Sequence, residues 1–166
     1  AFVDQVTYDV TMPFIRMMAG PVDYTQGAMH NASRENFRAI HDEPMSQGTR
    51  CRQLAEYIVF DSPLNMLCDS PSSYEREHEC TSFIAGIPTV WDHTTVLCGK
   101  VSEYIATARQ KGNIWYVGAM TNWEECTIEI DLSFLGAGDF KAEIFRDGVN
   151  AYRYARDYKK GLIEIP

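Results

Sequence analysis

Apolar positions follow a helical period in the first half of the chain and a period of two in the second. In "GTRCRQLAEYIVFD" Cys51, Leu54, Ala55, Ile58 and Val59 recur at i, i+3, i+4, i+7 and i+8, one face of a helix. Thr49 stands at the cap position, and Ser62-Pro63 ends the run because proline disfavours a helical residue before it. Val10, Phe14, Met17 and Met18 predict a helix over 10–18, broken at Gly20-Pro21, and "SSYEREHECTSFIAG" predicts another over 72–85. Two short runs between these helices, "GPVDY" and "PLNMLCD", predict strands, the second fully buried on both faces. After residue 88 the segments "EYIATAR", "IWYVGAMT", "TIEIDLSFL" and "KAEIFRDG" alternate as half-buried strands do. Lys111-Gly112-Asn113 and Asp147-Gly148 supply the turns between them.

This change of texture predicts an α/β part over 1–88 and an all-β part over 89–166, the latter an antiparallel sandwich or meander. The alternation of helix and strand in the first part suits the last βα units of a (β/α)8 barrel. In a barrel the C-terminal ends of the strands face the active site, which nominates Asp23, Tyr24 and Asp69 as rim or substrate-pocket residues. Carboxylates and amides there suit sugar hydroxyls or acid–base work on a glycosidic bond. The alternative is that Asp23 and Asp69 cap the helices that follow their strands. The chain opens at Ala1-Phe2-Val3 and closes on Leu162–Pro166 as if in mid-pattern, the last stretch being strand-like with no partner following.

Composition narrows the classes. An apolar share of 45% with 23% charged residues is that of a globular chain, and a net charge of −8 argues against a nucleic-acid partner. No apolar run approaches the ~20 residues of a membrane-spanning helix. Cys51, Cys68, Cys80, Cys98 and Cys126 are too widely spaced for a zinc site and read as small buried thiols. The histidines lack any metal-ligand spacing, and Trp91-Asp92-His93 reads as a hinge between the two parts. Trp115, Tyr116 and Trp123 read as core or inter-part packing ahead of a sugar platform. No nucleophile elbow, P-loop or dinucleotide fingerprint occurs.

Four stretches carry a resemblance: "VTMPFIRMMAGPVDYTQGAM", "GTRCRQLAEYIVFDSPLNMLCDSPSSY", "IPTVWDHTTVLCGKVSEYIATARQKGNIWYVGAMTNW" and "FRDGVNA". Together they are similar to the C-terminal part of glycoside hydrolase family 97. The resemblance implies a calcium-dependent (β/α)8 catalytic barrel followed by a C-terminal β module associated with homo-oligomerisation. It implies exo-acting hydrolysis of terminal α-linked galactose or glucose from oligosaccharides, in a periplasmic enzyme. The form "DYTQGAM" resembles the α-galactosidase type more closely. The family's catalytic and calcium-binding carboxylates belong chiefly to earlier barrel segments. Asp4 and Asp9, the acids of the N-terminal arm, match no catalytic glutamate, so no residue is carried over as catalytic or metal-binding. The fragment is expected to be inactive alone. The rival expectation is a non-catalytic β-sandwich module for oligomerisation or carbohydrate binding.

Overall fold

The structure, a computed structural model, describes residues 3–166; Ala1 and Phe2, on which part of the reading of the chain's opening rests, lie outside them. The helix expected over 10–18 is instead a string of short turns. α1 (Gln5–Asp9) is capped by Asp4, whose carboxylate accepts from Thr7 N, and α2 (Met12–Ile15) restarts with Pro13 in its first turn. A 3₁₀ turn over Arg16–Ala19 comes next, and Gly20 leaves it at φ +114°, where only glycine is unstrained. Proline lacks the N–H that would have tied the two pieces into one ladder.

β1 (Tyr24–Gln26) and β4 (Asn65–Leu67) pair in parallel, Tyr24 opposite Asn65 and Gln26 opposite Leu67. Between them, β2 (Asn31–Ala32) pairs in parallel with β3 (Ser46–Gln47), and α3 (Arg50–Val59) makes the crossover. Thr49 caps α3 as its sequence position predicts, accepting from Arg52 N. The helix expected over 72–85 is two, α4 (Pro71–Arg76) and α5 (His78–Ala85), hinged at Glu77, whose backbone leaves helical geometry. The strand expected to be fully buried is not. Met66 and Leu67 are exposed, because β4 has a single sheet neighbour and little packs over its outer face.

The second part is antiparallel. β5 (His93–Lys100), β6 (Tyr104–Lys111) and β7 (Ile114–Thr121) form one meander, and Gly112 turns β6 into β7 at φ +57°. β8 (Phe140–Asp147) pairs with β9 (Tyr158–Ile165). The terminal stretch therefore has a partner, in the strand that precedes it. "TIEIDLSFL" is not a strand: residues 127–132 run without a ladder into a 3₁₀ turn over Ser133–Leu135. Ile128 and Ile130 still turn inward between exposed neighbours, so the alternation reports burial without pairing.

α3 lies between the two parts. It packs on β1 along one side and on β6 and β7 along the other. The single apolar face read from its sequence is thus too narrow: Arg50, Arg52, Gln53 and Glu56 are buried along with Leu54, Tyr57, Ile58 and Val59. One core gathers Met29, Leu54, Tyr57, Cys80 and Ile84 under Trp91, Tyr116, Phe145 and Tyr158. A second joins Val10, Val22 and Phe60 to Ile105 and Met120. Each core draws on both sides of residue 88. Trp91 stands edge-on to Tyr116 at 5.2 Å and packs as part of the first, so the segment read as a hinge is pinned. Trp115 meets Phe134 at 4.9 Å, and the Trp123 indole donates to Asp4, in keeping with packing roles. Only Cys80 is a buried thiol; Cys68 and Cys126 are exposed and Cys51 and Cys98 half-buried, all five free.

Candidate functional site

In βα units, ligands sit beyond the C-terminal ends of the parallel strands, and here those ends are Gln26 of β1 and Leu67 of β4. Asp69 lies two residues past β4. Its Oδ2 accepts from Met29 N at 2.8 Å and its Oδ1 from Ser70 N at 2.7 Å. Burial acts to raise its pKa, but these N–H donors outweigh that and hold the carboxyl below its usual value. Asp69 thus ties the turn after β1 to the turn after β4, while the cap of α4 is its neighbour Ser70.

The strand bounds move the other two nominated residues. β1 begins at Tyr24, later than "GPVDY" suggested, so Asp23 precedes the strand and sits exposed at the end opposite Asp69. Tyr24 shares a strand face with Gln26, the face turned toward α3. Its ring meets Phe60 edge-on at 4.7 Å, and its hydroxyl donates to Asp9 Oδ1 at 2.6 Å and accepts from Gln5 Nε2 at 2.7 Å. The structure therefore does not gather Asp23, Tyr24 and Asp69 at one mouth. Thr25 is the residue of β1 on the opposite, open face, beside Met66 of β4.

A buried polar cluster is gathered instead, one that hydrophobic patterning passes over. Arg52 Nη2 meets Asp9 Oδ2 at 3.1 Å, and its Nε stands 3.5 Å from Glu56 Oε1. Gln53 Nε2 donates to Glu56 Oε2 at 3.0 Å. Asp9 and Glu56 are both essentially inaccessible, at 1% and 0% exposure, and share one guanidinium. Burial first, and then the neighbouring Asp9 carboxylate, push the Glu56 carboxyl well above its ordinary pKa, against the opposing pull of Arg52. Burial and the same two acids raise the Tyr24 phenol, which stays protonated and donates. The sequence signal was present: Arg52 and Glu56 are an i,i+4 pair of opposite charge within α3. Gln5, Tyr24, Thr25, Gln47, Gln53 and Glu56 are among the residues lining a cavity of about 420 Å³ beside this cluster.

A second cluster fixes the N-terminus of α3. Arg50, wholly buried, donates from Nε to Asn31 Oδ1 at 2.6 Å, from Nη1 to Glu77 at 2.9 Å, and from Nη2 to Met29 O. At the other end Arg109 of β6 donates to Ile58 O at 2.5 Å and Val59 O at 3.1 Å, satisfying the last carbonyls of α3. Among the described residues no group of three His, Cys, Asp or Glu side chains is placed to hold a metal ion. Among them, too, no helix is long and apolar enough to cross a membrane.

Residues 90–164 match the family model described as the C-terminal, oligomerisation part of glycosyl hydrolase 97. The chain is 64% identical over 157 residues to a retaining α-galactosidase of Bacteroides thetaiotaomicron, covering 95% of this chain and 24% of that protein. It is 28% identical over 146 residues to a probable retaining α-galactosidase of Streptomyces bingchenggensis, covering 88% and 21%. A family 97 enzyme from Pseudoalteromonas sp. strain K8, solved in complex with panose, superposes with a TM-score of 0.84. Its identity is 31%, over 97% of this chain and 25% of that one. The chain thus spans about a quarter of the length of the relatives it matches.

Proposed function

Since the chain belongs to glycoside hydrolase family 97, as its C-terminal part, we propose that it completes an exo-acting, retaining α-galactosidase. The observation that carries this is the 64% identity over nearly the whole chain to a retaining α-galactosidase. In this reading β1 and β4 are the last parallel strands of the catalytic barrel, and residues 89–166 are an oligomerisation-type sandwich. The open face carrying Thr25 and Met66 turns to the barrel interior, and α3 to α5 belong to its outer helical layer.

A retaining glycosidase sets two carboxyl groups about 5–5.5 Å apart, one as nucleophile and the other as acid and then base. Glu56, Asp9 and Asp69, the carboxylates gathered near the parallel strands, suit neither role. Glu56 and Asp9 gather around Arg52, and each oxygen of Asp69 is engaged by a backbone N–H. The catalytic pair and the calcium ligands are therefore assigned to barrel strands outside these 166 residues. Of the three residues nominated from sequence, Asp69 shapes the mouth by holding the turns after β1 and β4. Tyr24 stiffens the wall behind it, and Asp23 stands clear of the substrate. An oligosaccharide with terminal α-galactose is the substrate, a second copy of the enzyme the protein partner, and the periplasm the compartment.

The test compares the full-length enzyme with the isolated 166-residue chain on a nitrophenyl α-galactoside. Turnover by the full-length enzyme with retained anomeric configuration, and none by the isolated chain, is the expected result. A preference for the α-glucoside would overturn the substrate, and turnover by the isolated chain would overturn the location of the acids.

A further inference from the structure

The connection between β8 and β9, residues 148–157, leaves the β module and crosses to the α/β part. Its neck is tight. Gly148 N donates to Asp157 O at 3.0 Å, and a Cβ at Gly148 would run into the Asp157 carboxylate. Asn150 N donates to that carboxylate at 2.9 Å, and Tyr154 N closes a turn on Asn150 O at 2.8 Å. Ala151 and Ala155 are buried beneath the loop. Two hydrogen bonds dock it. Arg50 N, the first amide of α3, donates to Ala155 O at 2.7 Å, and Asn36 Nδ2 donates to Arg153 O at 3.1 Å.

Both docking points belong to segments that come after the C-terminal end of β1. Asn36 lies in the connection after it, and α3 begins on that side before running back. Near α3's other end, Val22 N, just before β1, donates to Asp61 O. The loop is thus fixed to the side of the parallel strands that carries ligand sites in βα architectures. It presents Tyr152 at 73% and Tyr154 at 53% exposure. The Arg156 guanidinium lies 5.1 Å from the Tyr154 ring centroid, which braces that ring.

We propose that Tyr152 and Tyr154 form an outer sugar-binding platform, taking the leaving-group residues of an oligosaccharide whose terminal galactose lies in the barrel. This rests on the exo-α-galactosidase reading above. In an exo-enzyme the terminal sugar fills the central pocket and the remainder leaves across the rim. Pyranose faces stack on aromatic rings, and a phenol adds a hydroxyl for the sugar's own. A loop pinned at its neck and at both docking points offers its rings with little ordering left to lose on binding. The β module then contributes to substrate choice as well as to assembly.

The experiment uses the full-length enzyme, with Tyr152→Ala/Tyr154→Ala and Tyr152→Phe/Tyr154→Phe double variants. Each is assayed on a nitrophenyl α-galactoside and on an α-galactosyl tetrasaccharide, and its mass is read in solution. The alanine variant is expected to raise KM for the tetrasaccharide about tenfold, a loss of ~1.4 kcal/mol. Its kcat/KM on the nitrophenyl substrate should stay within about twofold, and the phenylalanine variant should restore tetrasaccharide KM, since stacking needs the ring. Equal kinetics of wild type and alanine variant on both substrates would overturn the proposal. So would a parallel fall on both substrates with a change in mass, which would make the loop an interface between copies. A wild-type enzyme inactive on both galactosides would instead remove the α-galactosidase reading, and this platform with it.

Discussion

Glu56 is the residue whose chemistry departs furthest from its solvent behaviour. It is fully buried on α3, beside Asp9 from α1 and sharing Arg52 with it, while Gln53 and Tyr24 complete the surroundings. Its pKa is raised above 4.5, so folding favours the protonated form. The stability this confers is fully present below about 4.5 and is lost as pH rises through the higher folded value. Asp4 and Asp69 act oppositely: their pKa values are lowered from 3.8, so their contribution holds above that value and fades as pH falls through the folded one. Glu56→Gln keeps the shape and removes the titrating group. It is expected to flatten the loss of protection of α3 amides on the alkaline side, read by hydrogen exchange in the full-length enzyme. Unchanged pH dependence would show that Glu56 is ionised in the fold. Arg52→Met leaves Asp9 without its cation, and removing one partner of a buried pair costs about 3–5 kcal/mol. A fall in the unfolding midpoint much smaller than that implies would show that Asp9 is satisfied by Tyr24 and Gln5 alone.

At the scale of elements, β7 and α3 approach closely at a glycine. Gly118 lies against the α3 backbone, and a Cβ there would stand 2.9 Å from Ala55 O and 2.9 Å from Ile58 Cβ. Neither atom is the end of a flexible chain, so Gly118→Ala must push the strand off the helix. A cost of about 1–3 kcal/mol is expected from such overpacking, measured as a lowered unfolding midpoint with β6 and β7 exchanging faster. An unaltered midpoint would show that the two elements part without penalty.

These contacts also explain what was legible. The start of α3 at its Thr49 cap, β6, β7 and β8 could be read from local signals, because period, cap and turn glycine all agreed. The single helix over 10–18 failed at Pro13, a backbone effect that hydrophobic spacing does not carry. The strand at 127–135 failed because alternation fixes which side chains turn inward, whereas a ladder needs a neighbour. The candidate site was less readable. Asp23 and Tyr24 depended on a strand read over 20–24, whereas β1 runs Tyr24–Gln26 and ends beyond both. The cluster of Asp9, Arg52 and Glu56 joins residues from separate helices, and only the Arg52–Glu56 spacing hinted at it.

For the whole molecule, the change of pattern near residue 88 marks a change of architecture, yet neither core respects it. Trp91, Tyr116, Phe145 and Tyr158 cover the core built on Leu54 and Tyr57, while Ile105 and Met120 close the one built on Val10 and Phe60. Cutting the chain after residue 88 is therefore expected to yield an N-terminal piece that exposes α3 and precipitates or binds a hydrophobic dye. A monodisperse, dye-silent piece would show that the first part closes on its own. With α3 covered on both sides, the two parts of the chain should lose structure in one step, not in sequence.

The position of α3 has a consequence for descent. A helix fitted on one side to a parallel strand and on the other to a glycine in a β meander ties two lineages of sequence change together. Drift in Ala55, Ile58 or Val59 is answerable to Gly118 as well as to the α/β part. A recombination that replaced the β module alone would carry in a sheet shaped for a different helix. The β module is expected to be inherited with the α/β part, and trees built from either half of the chain should branch in the same order.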